Sequence, residues 1–107
     1  MKQFNDVLYN AVQAGEITAG SKIEVDVFSG PIGGHGFRSG KWPVAINGIK
    51  FRMFSSIPHR LSLADQEARL VGVVETAIQR AIEGKTFQNK YNGGKTELSY
   101  SSNMERI

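Results

Sequence analysis

Cysteine is absent from this chain of 107 residues, which removes disulfides, thiolate metal ligands and cysteine nucleophiles together. Histidine is scarce. His35 and His59 stand in no H-x-x-x-H or carboxylate-spaced pattern, and neither a metal nor another cofactor is expected. No serine occupies a G-x-S-x-G elbow. No apolar run approaches the ~18 residues of a membrane span, so no membrane association is expected. The opening Met1-Lys2-Gln3-Phe4-Asn5-Asp6 has an acid where a secretory apolar region would begin, and a cytoplasmic location is the expectation. Strong charge of one sign is missing too. The 13 basic and 10 acidic residues leave a net charge of +3, weaker than the field of a dedicated duplex binder but compatible with anionic ligands. With the usual catalytic sets missing, a non-enzymatic role is expected.

What the chain does have is glycine, 12 residues in all. Phe28-Ser-Gly-Pro-Ile-Gly-Gly-His-Gly-Phe-Arg-Ser-Gly-Lys-Trp42 combines five of them with Arg38 and Lys41, and with Phe37 and Trp42 as aromatics expected to be exposed. Such a loop lets backbone amides approach a ligand, while cations and rings add charge and stacking. A P-loop needs Gly-Lys-Ser/Thr, but Gly40-Lys41 is followed by Trp42 and His35 stands where the first glycine belongs. The dinucleotide pattern fails at Ser39, and the following strand replaces the helix that both motifs require. A generic phosphate nest and a mobile hairpin loop both remain open.

The length fits one domain spanning residues 1–107. Phe4, Val7, Leu8, Ala11 and Val12 form one helical face that Gly15 ends. After a connector at 16–20, Ile23, Val25 and Val27 alternate with Lys22, Glu24 and Asp26 as a strand. The glycine loop is expected from Ser29 to Lys41. Strands 42–46 and 49–54 then flank Asn47-Gly48, a strong hairpin signal. If the second of these strands lies beside the first strand of the chain, Lys50 and Arg52 face Glu24 and Asp26 across the sheet. A loop at 55–61 contains Pro58. Ser62 is the N-cap and Gly84 the stop of a long helix with the apolar stripe Leu63, Leu70, Val71, Val74, Ala77, Ile78, Ala81 and Ile82. A second hairpin turns at Asn92-Gly93-Gly94, with Phe87, Asn89 and Tyr91 on one strand face and Thr96, Leu98 and Tyr100 on the return. Residues 102–107 read as a frayed polar tail. The α-β-β-β-α-β-β order predicts an α+β domain, with an antiparallel sheet of about five strands and two helices.

Further candidates lie outside the glycine loop. His59, Arg60 and Ser62, near Ser55 and Ser56, sit at the entry of the long helix, where unpaired amides and the helix dipole attract anions. Asp65 in the first turn supports the ordinary cap as the alternative. Arg69, Gly72, Val73, Thr76 and Arg80 share the outer helix face. A mid-helix glycine costs about 1 kcal/mol against alanine, so Gly72 suggests close approach by a second copy or a flat ligand. Glu67 falls inside the stripe by angle, as a general base or a ribose ligand, or simply as a first-turn acid. Candidate ligand-binding residues are therefore Gly33, Gly34, His35, Gly36, Arg38, Lys41, Trp42, His59, Arg60, Ser62, Glu67, Arg69 and Arg80.

In its size, its helix-plus-sheet order and the arginine-bearing long helix from Ser62 to Gly84, the chain resembles small phage-encoded anti-defence proteins of the Thoeris anti-defence type, which sequester nucleotide immune signals. The likeness is one of layout and carries no motif, so it assigns no residue. It implies a compact oligomer in the host cytoplasm that binds a nucleotide or other phosphate-bearing ligand without turnover. A homo-oligomer through the Arg69–Gly72–Val73 face is the matching expectation. The alternatives are a nucleic-acid-binding module using Lys50, Arg52, Lys90 and Lys95 on the sheet, or an inhibitor covering a host enzyme. Phe37, Trp42, Phe54, Phe87, Tyr91 and Tyr100 have rings that can stack bases, although most of them are expected in the core. A hydrolase using His59 or His35 with Glu67 has least support.

Overall fold

A computed structural model describes residues 7–84, 87–92, 95–99 and 104–107, with 87–92 and 95–99 as backbone alone. Helix α1 (Val7–Gln13) buries Leu8 and Ala11, and its continuation ends at Gly15 with φ 76°. Phe4, the first position of the predicted stripe, lies outside the described residues. Strands β1 (Ile23–Val25), β2 (Phe37–Ile46) and β3 (Ile49–Pro58) precede helix α2 (Leu63–Glu83). Strands β4 (Phe87–Asn92), β5 (Lys95–Ser99) and β6 (Met104–Arg106) follow it. The result is an α+β fold with an antiparallel sheet in the order β1-β2-β3-β6, and a separate two-stranded β4-β5 hairpin. The tip and side-chain faces of that second hairpin, including Lys90, lie outside what is described.

The β2–β3 hairpin turns at Asn47-Gly48, where φ values of 52° and 82° fit the type I′ turn that this dipeptide favours. Both strands run further than their composition indicates. β2 begins at Phe37, so the predicted loop from Ser29 to Lys41 gives up its last five residues to the sheet. β3 extends to Pro58 across the segment predicted as loop. Proline is tolerated there because it stands at the strand's end.

Register sorts the side chains. Trp42↔Met53, Val44↔Phe51 and Ile46↔Ile49 face inward, while Phe37↔Pro58, Ser39↔Ser56, Lys41↔Phe54, Pro43↔Arg52 and Ala45↔Lys50 face outward. Both helices cover the inner face, where Leu8, Ile17, Trp42, Phe51, Met53, Leu70 and Val74 join one core. Trp42 is therefore buried, 0% exposed, contrary to its expected exposure, while Phe37 is 51% exposed. Ile17, in the predicted connector, is buried as well.

Helix α2 keeps its predicted ends. Ser62 Oγ accepts from the Asp65 amide at 3.2 Å, and Gly84 adopts a left-handed φ of 69°. The buried stripe is narrower than predicted, since Leu63 and Ile82 are exposed at the two ends. Gln66 enters it and Glu67 does not: Gln66 is buried and Glu67 exposed.

The tail is a correction. Residues 104–106 form β6 against β3, pairing Met104 with Met53 and Glu105 with Arg52. Lys50 and Arg52 consequently do not oppose Glu24 and Asp26, because β2 intervenes between β1 and β3. Arg52 instead lies 3.8 Å from Glu105, and Glu24 pairs with Lys22 at 3.4 Å.

Arg106 donates to both carboxylate oxygens of Glu16, at 3.0 and 2.8 Å. These hydrogen bonds hold the Glu16 carboxyl below the ordinary glutamate range. A depressed carboxylate contributes stability above its unfolded value and loses it as pH falls through the folded one. Glu16→Gln should therefore be less stable than the native chain near neutrality and converge with it in acid. Urea midpoints at the two pH values check this, and a difference that ignores pH would remove the pair from the linkage.

Candidate functional site

The open end of the β2–β3 hairpin carries a cleft of about 640 Å³ lined by Gly33, Gly34, His35, Gly36, Phe37, Pro58, His59 and Arg60. Two segments far apart in sequence meet here because register sets Phe37 opposite Pro58, so the chain entering β2 lies beside the chain leaving β3. Gly34 and Phe37 exchange both backbone hydrogen bonds, at 3.0 and 3.1 Å. Between them His35 and Gly36 take φ values of 53° and 85°. This is a second type I′ turn, and it projects His35 from its tip.

The His59 amide donates to Gly36 O at 2.8 Å and pins this turn to the end of β3. Gly33 is fixed by crowding, since a Cβ there would come within 2.6 Å of Arg38 Cγ and 2.9 Å of His59 Cδ2. The glycines thus serve a tight turn and a close chain crossing. Of the amides in this turn, those of His35 and Gly36 meet no acceptor among the described residues. Neither does the exposed Arg60 guanidinium, nor the side chain of either histidine. Cation, imidazoles, free amides and the half-exposed Phe37 ring therefore border one space. That set can hold a phosphate and stack a flat ring beside it.

The remaining candidates lie elsewhere. Arg38 turns inward: Nε donates to Pro31 O at 2.8 Å, Nη1 to Gln66 Oε1 at 2.8 Å and Nη2 to Val27 O at 3.0 Å. Its guanidinium also lies 4.9 Å from the centre of the Trp42 ring. Arg38 and Trp42 hold the glycine segment in place from below. Asp26 supports the same segment, accepting from the Ser29 amide at 3.1 Å, and Ser29, through its hydroxyl first, keeps the Asp26 carboxyl below its usual range.

Lys41 sits on the outer sheet face, 3.0 Å from Glu105. Ser62 is engaged as the helix cap. Glu67, Arg69 and Arg80 are exposed on α2 and do not line the cleft. Gly72 opens to free space, with Val73 exposed beside it. Gln66, which the apolar pattern passes over, is the residue that reading missed. Its only signal is an amide inside a helix stripe, and its partner lies 28 residues earlier.

Among the described residues no group of three or more histidines and carboxylates is placed to hold a metal, and no helix is long and apolar enough to cross a membrane. The chain matches no protein-family model, no curated protein and no solved structure.

Proposed function

We propose that the protein binds a small phosphate-bearing, nucleotide-like ligand in the cleft between the His35-Gly36 turn and His59-Arg60, without turning it over. The supporting observation is the meeting of the His35-Gly36 turn and the His59-Arg60 segment on one space, with Arg60 and two histidines facing no partner among the described residues. Arg60 supplies the fixed charge and Phe37 a stacking surface. The turn amides add donors of the kind anion sites use. In this reading the ligand is sequestered, the role that the resemblance to nucleotide-binding anti-defence proteins implies.

Arg60→Ala should weaken binding of uridine monophosphate by about tenfold or more, the usual weight of a charge-assisted hydrogen bond. Calorimetric titration beside circular dichroism reads both affinity and fold. Unchanged affinity in a folded variant would remove the cleft from consideration. Native mass spectrometry of protein from cells supplies the other half, because a ligand released intact supports sequestration and a converted product overturns it.

A further inference from the structure

The outer face of the four-stranded sheet continues directly from this cleft, since Phe37 and Pro58 belong to both. Moving along the hairpin from that pair, the outward positions run Ser39↔Ser56, Lys41↔Phe54, Pro43↔Arg52 and Ala45↔Lys50. Two aromatic rings, Phe37 and Phe54, are each 51% exposed on this face. They are offset by four positions along the strands, about 13 Å at the usual rise per residue. Lys41, Lys50 and Arg52 are exposed beside them, and the two helices occupy the opposite face. Exposed aromatics on an antiparallel sheet, flanked by cations and backed by helices, suit the stacking of a few successive bases with phosphates tracking the charges.

We propose that this face is a binding surface for a short single-stranded oligonucleotide, whose terminal nucleotide occupies the cleft. The inference rests on the cleft reading and extends it from one nucleotide to several. Charge complementarity selects the occupant: Lys41, Lys50 and Arg52 face outward around Phe54, and Glu105 is the carboxylate set between two of them, 3.0 Å from Lys41 and 3.8 Å from Arg52. Exposed ion pairs of this kind hold weakly. An incoming phosphate can therefore take the place of Glu105 on either cation. Single strands are favoured over duplex because the rings are open to bases only when the bases are unpaired.

The test is titration of the full chain with uridine monophosphate, a uridylate tetranucleotide and a thymidylate tetranucleotide, by calorimetry or fluorescence anisotropy. Affinity should rise steeply from the mononucleotide to the tetranucleotides, and the gain should fall with salt as phosphate contacts do. Phe54→Ala should lower tetranucleotide affinity by about tenfold and leave mononucleotide affinity unchanged. Lys50→Ala should act in the same direction. Glu105→Gln should raise tetranucleotide affinity, an effect that damage to the sheet would not produce.

A chain that binds the mononucleotide with no gain from length would overturn the face and keep the cleft. Tetranucleotide binding that depends on Phe54, with no binding of the mononucleotide, would keep the face and overturn the cleft. Phe54→Ala without effect on either probe would overturn the face. The two tetranucleotides show whether the 2′-hydroxyl contributes.

Discussion

Trp42→Ala is expected to cost about 3–5 kcal/mol, the range for emptying a large aromatic site in a core. A domain of this size has only about 5–15 kcal/mol in total, so the melting temperature should fall by tens of degrees. The reason lies in how many things one side chain supports. Trp42 is wholly buried among the core residues of the inner sheet face. Its Nε1–H donates to Ser55 O at 3.1 Å, across the hairpin. Gly30 lies against one edge of the ring, where any Cβ would collide with it, and the Arg38 guanidinium lies over the ring. Removing the indole therefore leaves a cavity, a lost hydrogen bond to the facing strand and a glycine segment without its floor. Trp42→Phe separates these losses, since it retains most of the volume and loses the hydrogen bond. Urea titration followed by far-ultraviolet circular dichroism reads both variants. A Trp42→Ala protein within about 1 kcal/mol of the native chain would contradict the central place given to this residue, because core truncations of that size are not so mild. Gly30→Ala should disturb the same contact from the other side, adding a methyl where the ring already is.

Local chemistry made some of this architecture readable and long-range pairing hid the rest. Asn47-Gly48 specifies its own turn, because both residues accept the positive φ that the hairpin needs. Ser62 and Gly84 mark the ends of α2 by equally local means, a side-chain cap and a left-handed residue. The glycine segment misleads because Ser39, Gly40 and Lys41 are poor strand formers. They are strand only through their pairing with Phe54, Ser55 and Ser56. Gly40 even has a use that composition disguises: its φ is 152°, and Pro31 lies so close that a Cβ would approach it to 2.8 Å. β6 escaped notice for the same reason, since three polar-flanked residues become a strand only beside β3.

The candidate site was legible in halves. The glycine segment and the His59-Arg60 turn each carry recognisable anion-binding chemistry, but only the strand register shows that they border one cleft. Arg38 shows the opposite limit. An arginine in a glycine-rich stretch reads as a ligand cation, and its commitment to Val27, Pro31 and Gln66 depends on a helix that begins 25 residues later. Side-chain type indicates what an arginine can do, and packing decides which of its donors remain.

The second large effect is expected at Arg38. Arg38→Met keeps much of the stem's volume and removes a guanidinium that joins three acceptors on two different segments. Pro31 O belongs to the glycine segment and Val27 O to the residue just before it, while Gln66 Oε1 belongs to α2, so this one side chain ties the cleft wall to the helix layer. Gln66 is itself buried, and its Nε2–H donates to Leu61 O at 2.8 Å, which fixes the amide with its oxygen toward Arg38. Val27 O keeps the Gly30 amide at 3.3 Å, so Pro31 O and Gln66 Oε1 are the acceptors left without a partner, at about 1–3 kcal/mol each. Partial relaxation and solvent entry bring the expected total to about 3 kcal/mol. Arg38→Lys should recover little of it, because one ammonium on a flexible stem cannot span three acceptors that a planar fork reaches. Gln66→Met should cost less than Arg38→Met, and the double variant less than their sum, with a coupling of about 1 kcal/mol for groups in direct contact. Ligand affinity should fall in Arg38→Met although Arg38 does not line the cleft, because the Gly33–Phe37 segment loses its anchor. The lysine variant separates the two roles an arginine could have here. If Arg38→Lys restored ligand affinity while stability stayed low, its charge would matter to the ligand and the anchoring account would be wrong. If both stay low together, the loop's position is what the ligand requires, and the fork of Arg38 is what sets that position.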